Sequence, residues 1–475
     1  MKGTGMFIGR EHELNQLNRL YQSDQFEMPV IYGRRRVGKT RLISEFIRNK
    51  PAIYVQARRT NARTNLAMVS HAILSYATGE SAGDYASFDA AFDALASMAT
   101  QERLVFVLDE FPYLAQALPE ISSLLQEKID HLFKPKTKLM FILCGSSLSF
   151  MEEQVLGYES PLYGRRTAQF KIEPFDFFTT LRYWPNMDEQ DAATCYGFTG
   201  GVPAYMEKID PSIGVRKNIE RLFLNPDGYL YEEPTNLLLQ ECRSPEQYDA
   251  IVQAIASGKS RLHEIASTAG IPESNTRTYL TKLMSLGIVK QERPFGEQNA
   301  RKAIYCLADQ MFRFWYRFVP PYAGLIQNGL GSLAYDRFAN CISTHMGSVF
   351  EEICRQYLYI TAKEEQLPLL PVNVGRWWGT DSRTHQQEEI DLVADEGDRS
   401  VGLFAECKWR NEQLSVDVLD TLVYRSELFR YQEKHYLLFA KHGFTSGCKN
   451  RAASIPHTRL ITFDEMCKFA RNTRK

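Results

Sequence analysis

Five short apolar or near-apolar runs punctuate the first third of the chain, at 30–32, 52–55, 104–108, 139–144 and 169–172. The runs at 104–108 and 139–144 are apolar without alternation, which predicts strands covered on both faces. Helical spacing fills the intervals, so a parallel α/β sheet is expected. After Glu173-Pro174-Phe175 the pattern turns helical, broken once by Gly200-Gly201-Val202-Pro203, and predicts a small helical lid. From Pro245 a compact pattern follows: helices over 248–256 and 262–266, a turn at Gly270-Ile271-Pro272, and a longer helix capped by Ser274 or Asn275. Two short runs at 288–291 and 303–306 flank Pro294-Phe295-Gly296 as a hairpin. Three helices and a hairpin make a winged helix-turn-helix. The aromatic stretch from Met311 to Val319 fits interdomain core better than a base-stacking platform. Pro320-Pro321 then marks a boundary.

The stretch Gly33 to Thr40, GRRRVGKT, fits the phosphate-binding pattern G-x-x-x-x-G-K-[ST]. Gly33 and Gly38 let backbone N–H groups close on phosphate oxygens, with Arg34, Arg35, Arg36 and Val37 between them. Lys39 brings charge to the β/γ-phosphates, and Thr40 offers a hydroxyl to Mg²⁺. A strand before the loop and a helix after it supply the context such a loop needs. The run at 104–108 ends in Asp109-Glu110, where Asp109 would order the Mg²⁺ shell and Glu110 would polarise the attacking water. After 139–144, Gly145-Ser146-Ser147 is either a γ-phosphate sensor, through Ser146, or an ordinary turn.

A second constellation lies near the C-terminus. Asp391 sits on a strand at 389–394, and a turn through Asp395-Glu396-Gly397-Asp398 leads into a strand carrying Glu406 and Lys408, two apart and so on one face. Upstream, Phe350-Glu351-Glu352 is read as opening a helix. One helix glutamate, with Glu351 chosen, one strand aspartate and an E-x-K suit metal-dependent phosphodiester cleavage. Asp391 and Glu406 would hold Mg²⁺ or Mn²⁺, and Lys408 would position the water. The alternative is a hairpin with exposed charges.

Length of 475 residues calls for two to four domains. A net charge of −1 means that nucleic-acid affinity must come from local patches. One such patch is the stretch 259–304, where Arg301 and seven other basic residues face four acidic ones. Nine scattered cysteines with no C-x-x-C pair weigh against structural zinc and disulfides, and for a reducing cytoplasm. No apolar run approaches 18 residues, so neither a membrane span nor a signal peptide is expected.

Taken together these motifs resemble the archaeal-type ATPases of the signal-transducing, AAA+-related P-loop branch that end in domain-of-unknown-function family 234. Phe7-Ile8-Gly9-Arg10-Glu11 is similar to the family's entry motif, which implies that Phe7 and Ile8 lie beside adenine. Pro161-Leu162-Tyr163-Gly164-Arg165-Arg166 resembles the segment that carries an arginine finger, with Arg165 and Arg166 as candidates. Gly200-Gly201-Val202-Pro203 resembles the lid motif whose proline, here Pro203, approaches the nucleotide. Trp377-Trp378, Glu389-Ile390-Asp391 and the Glu406 strand are similar to the C-terminal domain related to PD-(D/E)XK nucleases. Two positions depart from the pattern: no arginine follows Ser147, and Ile390 stands where a proline precedes the aspartate.

The expected layout is a P-loop core over 1–175, a helical lid over 176–244, a winged helix over 245–310, an aromatic linker over 311–340 and a restriction-endonuclease-like α/β domain over 341–475. The expected function is an ATPase, with ATP and Mg²⁺ as cofactors, whose nucleotide state controls DNA (or RNA) binding and a nuclease-like site. Self-association into a homo-oligomer is expected and a membrane partner is not. The competing function is a regulatory or scaffolding switch with an inactive nuclease-like domain.

Overall fold

The computed structural model describes residues 7–80, 83–299, 302–397 and 400–473. Arg301 of the basic patch and Asp398 of the C-terminal turn lie outside them. Contacts divide the chain into two units: Met1–Pro174 with Val202–Ala204, and Phe175–Gly201 with Tyr205–Lys475.

The first unit is a five-stranded parallel sheet of β1 (Pro29–Tyr32), β2 (Ala52–Gln56), β3 (Leu104–Asp109), β4 (Leu139–Gly145) and β5 (Ala168–Lys171), in the order β2-β3-β4-β1-β5. Every residue of β1, β3 and β4 is buried. Alternation divides their side chains between two cores. Val30, Phe106, Leu108, Phe141 and Leu143 join one; Ile31, Val105, Val107, Met140 and Ile142 join the other. This is why the strands read as unbroken apolar runs. In this order β4 lies between β1 and β3, so the residues that follow all three converge on one carboxyl edge.

The second unit begins with lid helices, among them Phe177–Tyr183, Glu189–Thr199 and Gly214–Phe223. A winged helix-turn-helix follows: helices Pro245–Ala256, Leu262–Ala269 and Glu273–Ser285, then the antiparallel pair β6 (Val289–Glu292) and β7 (Ile304–Leu307). The third helix starts earlier than expected from Ser274 or Asn275. Its N-cap is Pro272, whose carbonyl accepts from the Thr276 N–H at 2.9 Å and the Thr276 hydroxyl at 3.1 Å. Proline has its φ pre-set and no N–H to leave unsatisfied, so it opens the helix without a capping side chain.

The helix Gln310–Phe318 buries Met311, Phe312, Phe314, Tyr316 and Phe318. Phe314 meets Phe198 and Phe223 of the lid and His345 of the Cys341–Lys363 helix, while the Tyr316 hydroxyl donates to Asp249 of the winged helix at 2.5 Å. The stretch is core, as its spacing indicated.

The C-terminal sheet runs β12-β11-β10-β9-β8, from β8 (Asn373–Thr380), β9 (Gln387–Asp395), β10 (Val401–Lys408), β11 (Glu433–Ala440) and β12 (Thr458–Thr462). Strands β8, β9 and β10 pair antiparallel, and β10, β11 and β12 pair parallel. The Cys341–Lys363 helix packs on it. Phe350-Glu351 therefore stands in mid-helix and does not open it. Buried Met346 and Val349 extend the apolar face upstream, so the helical pattern starts well before the acidic pair.

Candidate functional site

Backbone geometry shapes the phosphate loop. Gly33 leaves β1 at φ 153°, and a Cβ there would collide with the Ile172 carbonyl oxygen. Gly38 caps the Lys39–Ile47 helix at φ 91°, so the helix N-terminus opens onto the loop. Lys39 is buried, and its Nζ donates to the carbonyls of Gly33 at 2.8 Å and Arg34 at 2.9 Å. Val37 anchors the loop in the core. Arg35 donates to the Tyr113 hydroxyl at 2.5 Å, and the Arg36 carbonyl accepts from the Ala204 N–H at 3.3 Å. The Pro203 ring lies 3.8 Å from where a Cβ on Gly38 would stand.

Thr40 Oγ1 and Tyr54 Oη both donate to Asp109 Oδ2, at 3.2 and 2.5 Å. Burial, reinforced by Asp109, pushes the Tyr54 hydroxyl far above its ordinary range, so it stays a donor. Glu110 holds the left-handed conformation at φ 54°, a strain on the order of 1–3 kcal/mol of the kind that gathers at functional sites. Its Oε2 accepts from the Ser146 hydroxyl at 2.8 Å and the Ser146 N–H at 3.3 Å. Phe7 packs partly buried on the core cluster that includes Val37, and Ile8 is half-buried. Arg10 braces the loop from behind, donating to the Val37 carbonyl at 3.3 Å and to the Glu173 carbonyl.

The arginine pair is placed apart from this group. Arg165 and Arg166 precede β5, whereas the phosphate loop follows β1, its parallel neighbour. They therefore stand at the opposite strand end, about 13 Å along the sheet. Arg165 is engaged by Asp130, at 3.0 Å from Nε and 2.6 Å from Nη2, and by the Pro161 carbonyl. Arg166 is half-buried and lines, with Arg165 and Asp130, one surface cleft.

In the second unit the β9–β10 hairpin brings the C-terminal acids together. Glu406 lies one step beyond the last registered pair, Ala405 with Leu392, and so faces Asp391. Asp391 Oδ2 accepts from the Cys407 N–H at 2.8 Å and from Lys408 Nζ at 3.1 Å. Lys408 Nζ also lies 2.5 Å from Glu406 Oε1, and Arg425 stands 3.6 Å from that oxygen. Glu406 Oε2 is buried with no hydrogen-bond partner among the described residues. Glu351 faces this group, and its carboxyl is pushed up to about 7, first by burial and then by Asp391. Glu352 turns away to bond Arg355 and Gln356. Burial and then Asp391 also push Glu406 up to about 7. Burial disfavours the Lys408 ammonium, but Asp391 and Glu406 outweigh it and raise its pKa.

An uncharacterized Methanocaldococcus jannaschii protein, MJECL04, is 33% identical over 410 residues, spanning 86% of this chain and 88% of its own. Residues 7–209 match the ATPase domain predominantly from Archaea, and residues 315–419 match a family of archaeal and bacterial proteins of unknown function, number 234. The chain belongs to the archaeal-type ATPases. Residues 250–293 match the IclR helix-turn-helix domain. A short ATP-binding protein of the same archaeon, MJ0423, is 46% identical over 50 residues, 10% of this chain and 85% of its own. Among solved structures, the Walker-type ATPase PABY2304 of Pyrococcus abyssi shares the fold, with a TM-score of 0.51 and 20% identity over 66% of this chain and 97% of that one.

As an archaeal-type ATPase the chain binds and hydrolyses ATP. The loop fits a triphosphate, since side chains at Gly33 or Gly38 would break the cradle, and the paired Thr40 and Asp109 oxygens are hard donors suited to Mg²⁺. Among the described residues no helix is long and apolar enough to cross a membrane. At the C-terminal acids, one buried Glu406 oxygen finds no hydrogen-bond partner among the described residues.

A pH dependence follows for this archaeal-type ATPase. Glu351 and Glu406 have folded pKa values above the ordinary carboxylate value, so the fold favours their protonated forms. That stabilisation is complete below about pH 4.5 and is lost as pH rises through about 7. Melting in EDTA is expected to show wild type losing about 1–3 kcal/mol relative to Glu406→Gln across this window. Parallel curves for the two proteins would contradict it.

Proposed function

We propose that this archaeal-type ATPase is a cytoplasmic, nucleotide-driven device that acts on DNA, with a helix-turn-helix for contact and a PD-(D/E)XK-type site for phosphodiester cleavage. The observation that carries the reading is the set of buried Asp391 and Glu406 with half-buried Lys408 on adjacent strands, with one Glu406 oxygen unsatisfied among the described residues. A hairpin built only for stability has no use for that oxygen.

At the first site Lys39 and the loop N–H groups would hold the phosphates, Thr40 and Asp109 would hold Mg²⁺, and Glu110 would polarise water. Ser146 orients Glu110 through two hydrogen bonds and would also report on the γ-phosphate. At the second site Asp391 and Glu406 would hold Mg²⁺ or Mn²⁺, which supplies charge at the scissile phosphate and a more acidic water. Lys408 orients that water, and Glu351 adds the helix carboxylate.

DNA contact is assigned to the helix Glu273–Ser285, whose Ser274, Arg277, Thr278 and Thr281 are exposed. The wing is engaged elsewhere, since Phe295 packs on the C-terminal core and its N–H donates to the Arg376 carbonyl at 2.9 Å. The deciding experiment incubates full-length protein with Mg²⁺ or Mn²⁺, with and without ATP, on single- and double-stranded DNA and RNA. Absence of metal-dependent cleavage on every substrate would favour a second reading, a regulatory switch whose C-terminal domain only binds. One observation supports that reading: the Lys408 ammonium already sits between the two carboxylates where a cation would go.

Assembly is part of the proposal. Arg165 is committed to Asp130, so Arg166 is our choice for a finger that reaches the γ-phosphate of a neighbouring subunit. Its place at the far strand end from its own phosphate loop disfavours a contact in cis. Sedimentation of Glu110→Gln with ATP should show association that Arg166→Ala weakens about tenfold or more. A strict monomer at high concentration would remove the trans model.

A further inference from the structure

A third cluster lies outside both sites. Glu433 and His435 are two apart on β11 and so share a face. The parallel pairing of Tyr436 with Thr458 puts His457 beside His435, with ring centroids 4.4 Å apart. His457 is held in place by its own backbone: its carbonyl accepts from the Tyr436 N–H at 2.9 Å, and it adopts φ 58°. Glu433 Oε1 lies 2.6 Å from His435 Nε2 and 3.5 Å from His457 Nε2. One ligand atom from each residue falls within 4.8 Å of the other two.

Two imidazoles and a carboxylate are the ligands of borderline divalent ions, zinc above all, and do not favour Mg²⁺. At zinc–ligand distances near 2.0–2.1 Å, tetrahedral donors stand about 3.4 Å apart. The His457–Glu433 separation already matches, and the shorter His435–Glu433 hydrogen bond needs to open by less than about 1 Å. The cluster borders an open cleft of 620 Å³ lined also by Gln366, Pro456 and Arg459. We propose that Glu433, His435 and His457 bind one zinc-class divalent ion, with its fourth position open to this cleft for water or an anionic group. The cysteine spacing gave no sign of it, because no cysteine takes part. It is also separate from the Asp391 group: Glu406 lies opposite Leu438, three residues or about 10 Å along β11 from His435.

The ion would join the start of β11 to the residue that precedes β12, with His435 and His457 22 residues apart in sequence, and so would stabilise the sheet at that end. The test uses full-length protein stripped with EDTA and then kept in excess Mg²⁺, which fills the hard-oxygen sites. Zinc is titrated in competition with a chromophoric chelator. One zinc per chain should bind at micromolar concentration or below. His435→Ala and His457→Ala should each lose at least about 100-fold in affinity, while Asp391→Ala keeps the wild-type value. Cobalt(II) should give wild-type protein a tetrahedral d–d absorption band that both histidine variants lack. Glu433→Gln, at an exposed side chain, guards against misfolding of His435→Ala and should weaken binding as well. No zinc bound at about 100 µM would overturn the proposal. So would binding that survives in His457→Ala and Glu433→Gln, or that disappears in Asp391→Ala alone.

Discussion

Lys39→Ala is expected to lower ATP turnover by at least about 10²–10³-fold while the protein stays folded. The ammonium is buried and donates to two loop carbonyls, Gly33 and Arg34, and the helix behind it begins at Gly38 without a side-chain cap. Its loss removes charge from the phosphate cradle and two hydrogen bonds from the loop. The stability cost should be about 1–2 kcal/mol, too little to unfold the sheet. Glu110→Gln should separate binding from chemistry. The amide keeps a partner for Ser146 but cannot polarise water, so nucleotide binding should persist and turnover should fall about 10²–10⁴-fold. Calorimetric ATP titration and phosphate release on both variants check this. Wild-type hydrolysis by Glu110→Gln would remove that carboxylate from the mechanism.

The second large effect is expected at the C-terminal site. Asp391→Ala and Glu406→Ala should each abolish metal-dependent cleavage. They leave different residues behind. Without Asp391, Lys408 retains Glu406, but the Cys407 N–H loses its acceptor in a buried position, at a cost of about 1–3 kcal/mol. Without Glu406 the pH trend in stability should also shrink, since one of the two raised carboxyls is gone. Lys408→Ala should leave metal binding intact or tighter, because the ammonium no longer competes for the space between the acids, and should slow cleavage about 10²-fold or more. Manganese titration by calorimetry alongside single-turnover cleavage distinguishes the three. Equal cleavage by wild type and Asp391→Ala would remove the nuclease reading.

Much of this organisation was readable in the chain because burial on two faces leaves a plain mark. The runs at 104–108 and 139–144 carry no alternation, and β3 and β4 are covered on both sides. The phosphate loop announced itself because its glycines and lysine occupy fixed offsets. What stayed hidden depends on contacts between distant segments. Tyr54 is one aromatic on a strand until β2 pairs with β3 and sets its hydroxyl on Asp109. Glu351 and Glu352 differ only in helix phase, and that phase depends on how Cys341–Lys363 lies against the sheet. Arg165 looked equal to Arg166 until Asp130, 35 residues earlier, was seen to hold it. The wing's attachment through Phe295 to Arg376 leaves no local signature at all.

The aromatic helix Gln310–Phe318 has a practical consequence. Its side chains are shared at once by lid, winged helix and the helix that carries Glu351, so borders drawn along the sequence are not borders in cohesion. A fragment cut on either side of it would expose a stripe of phenylalanines to water and tend to aggregate. Dissection of this protein is therefore better done by point substitution in the intact chain than by expressing its modules one at a time.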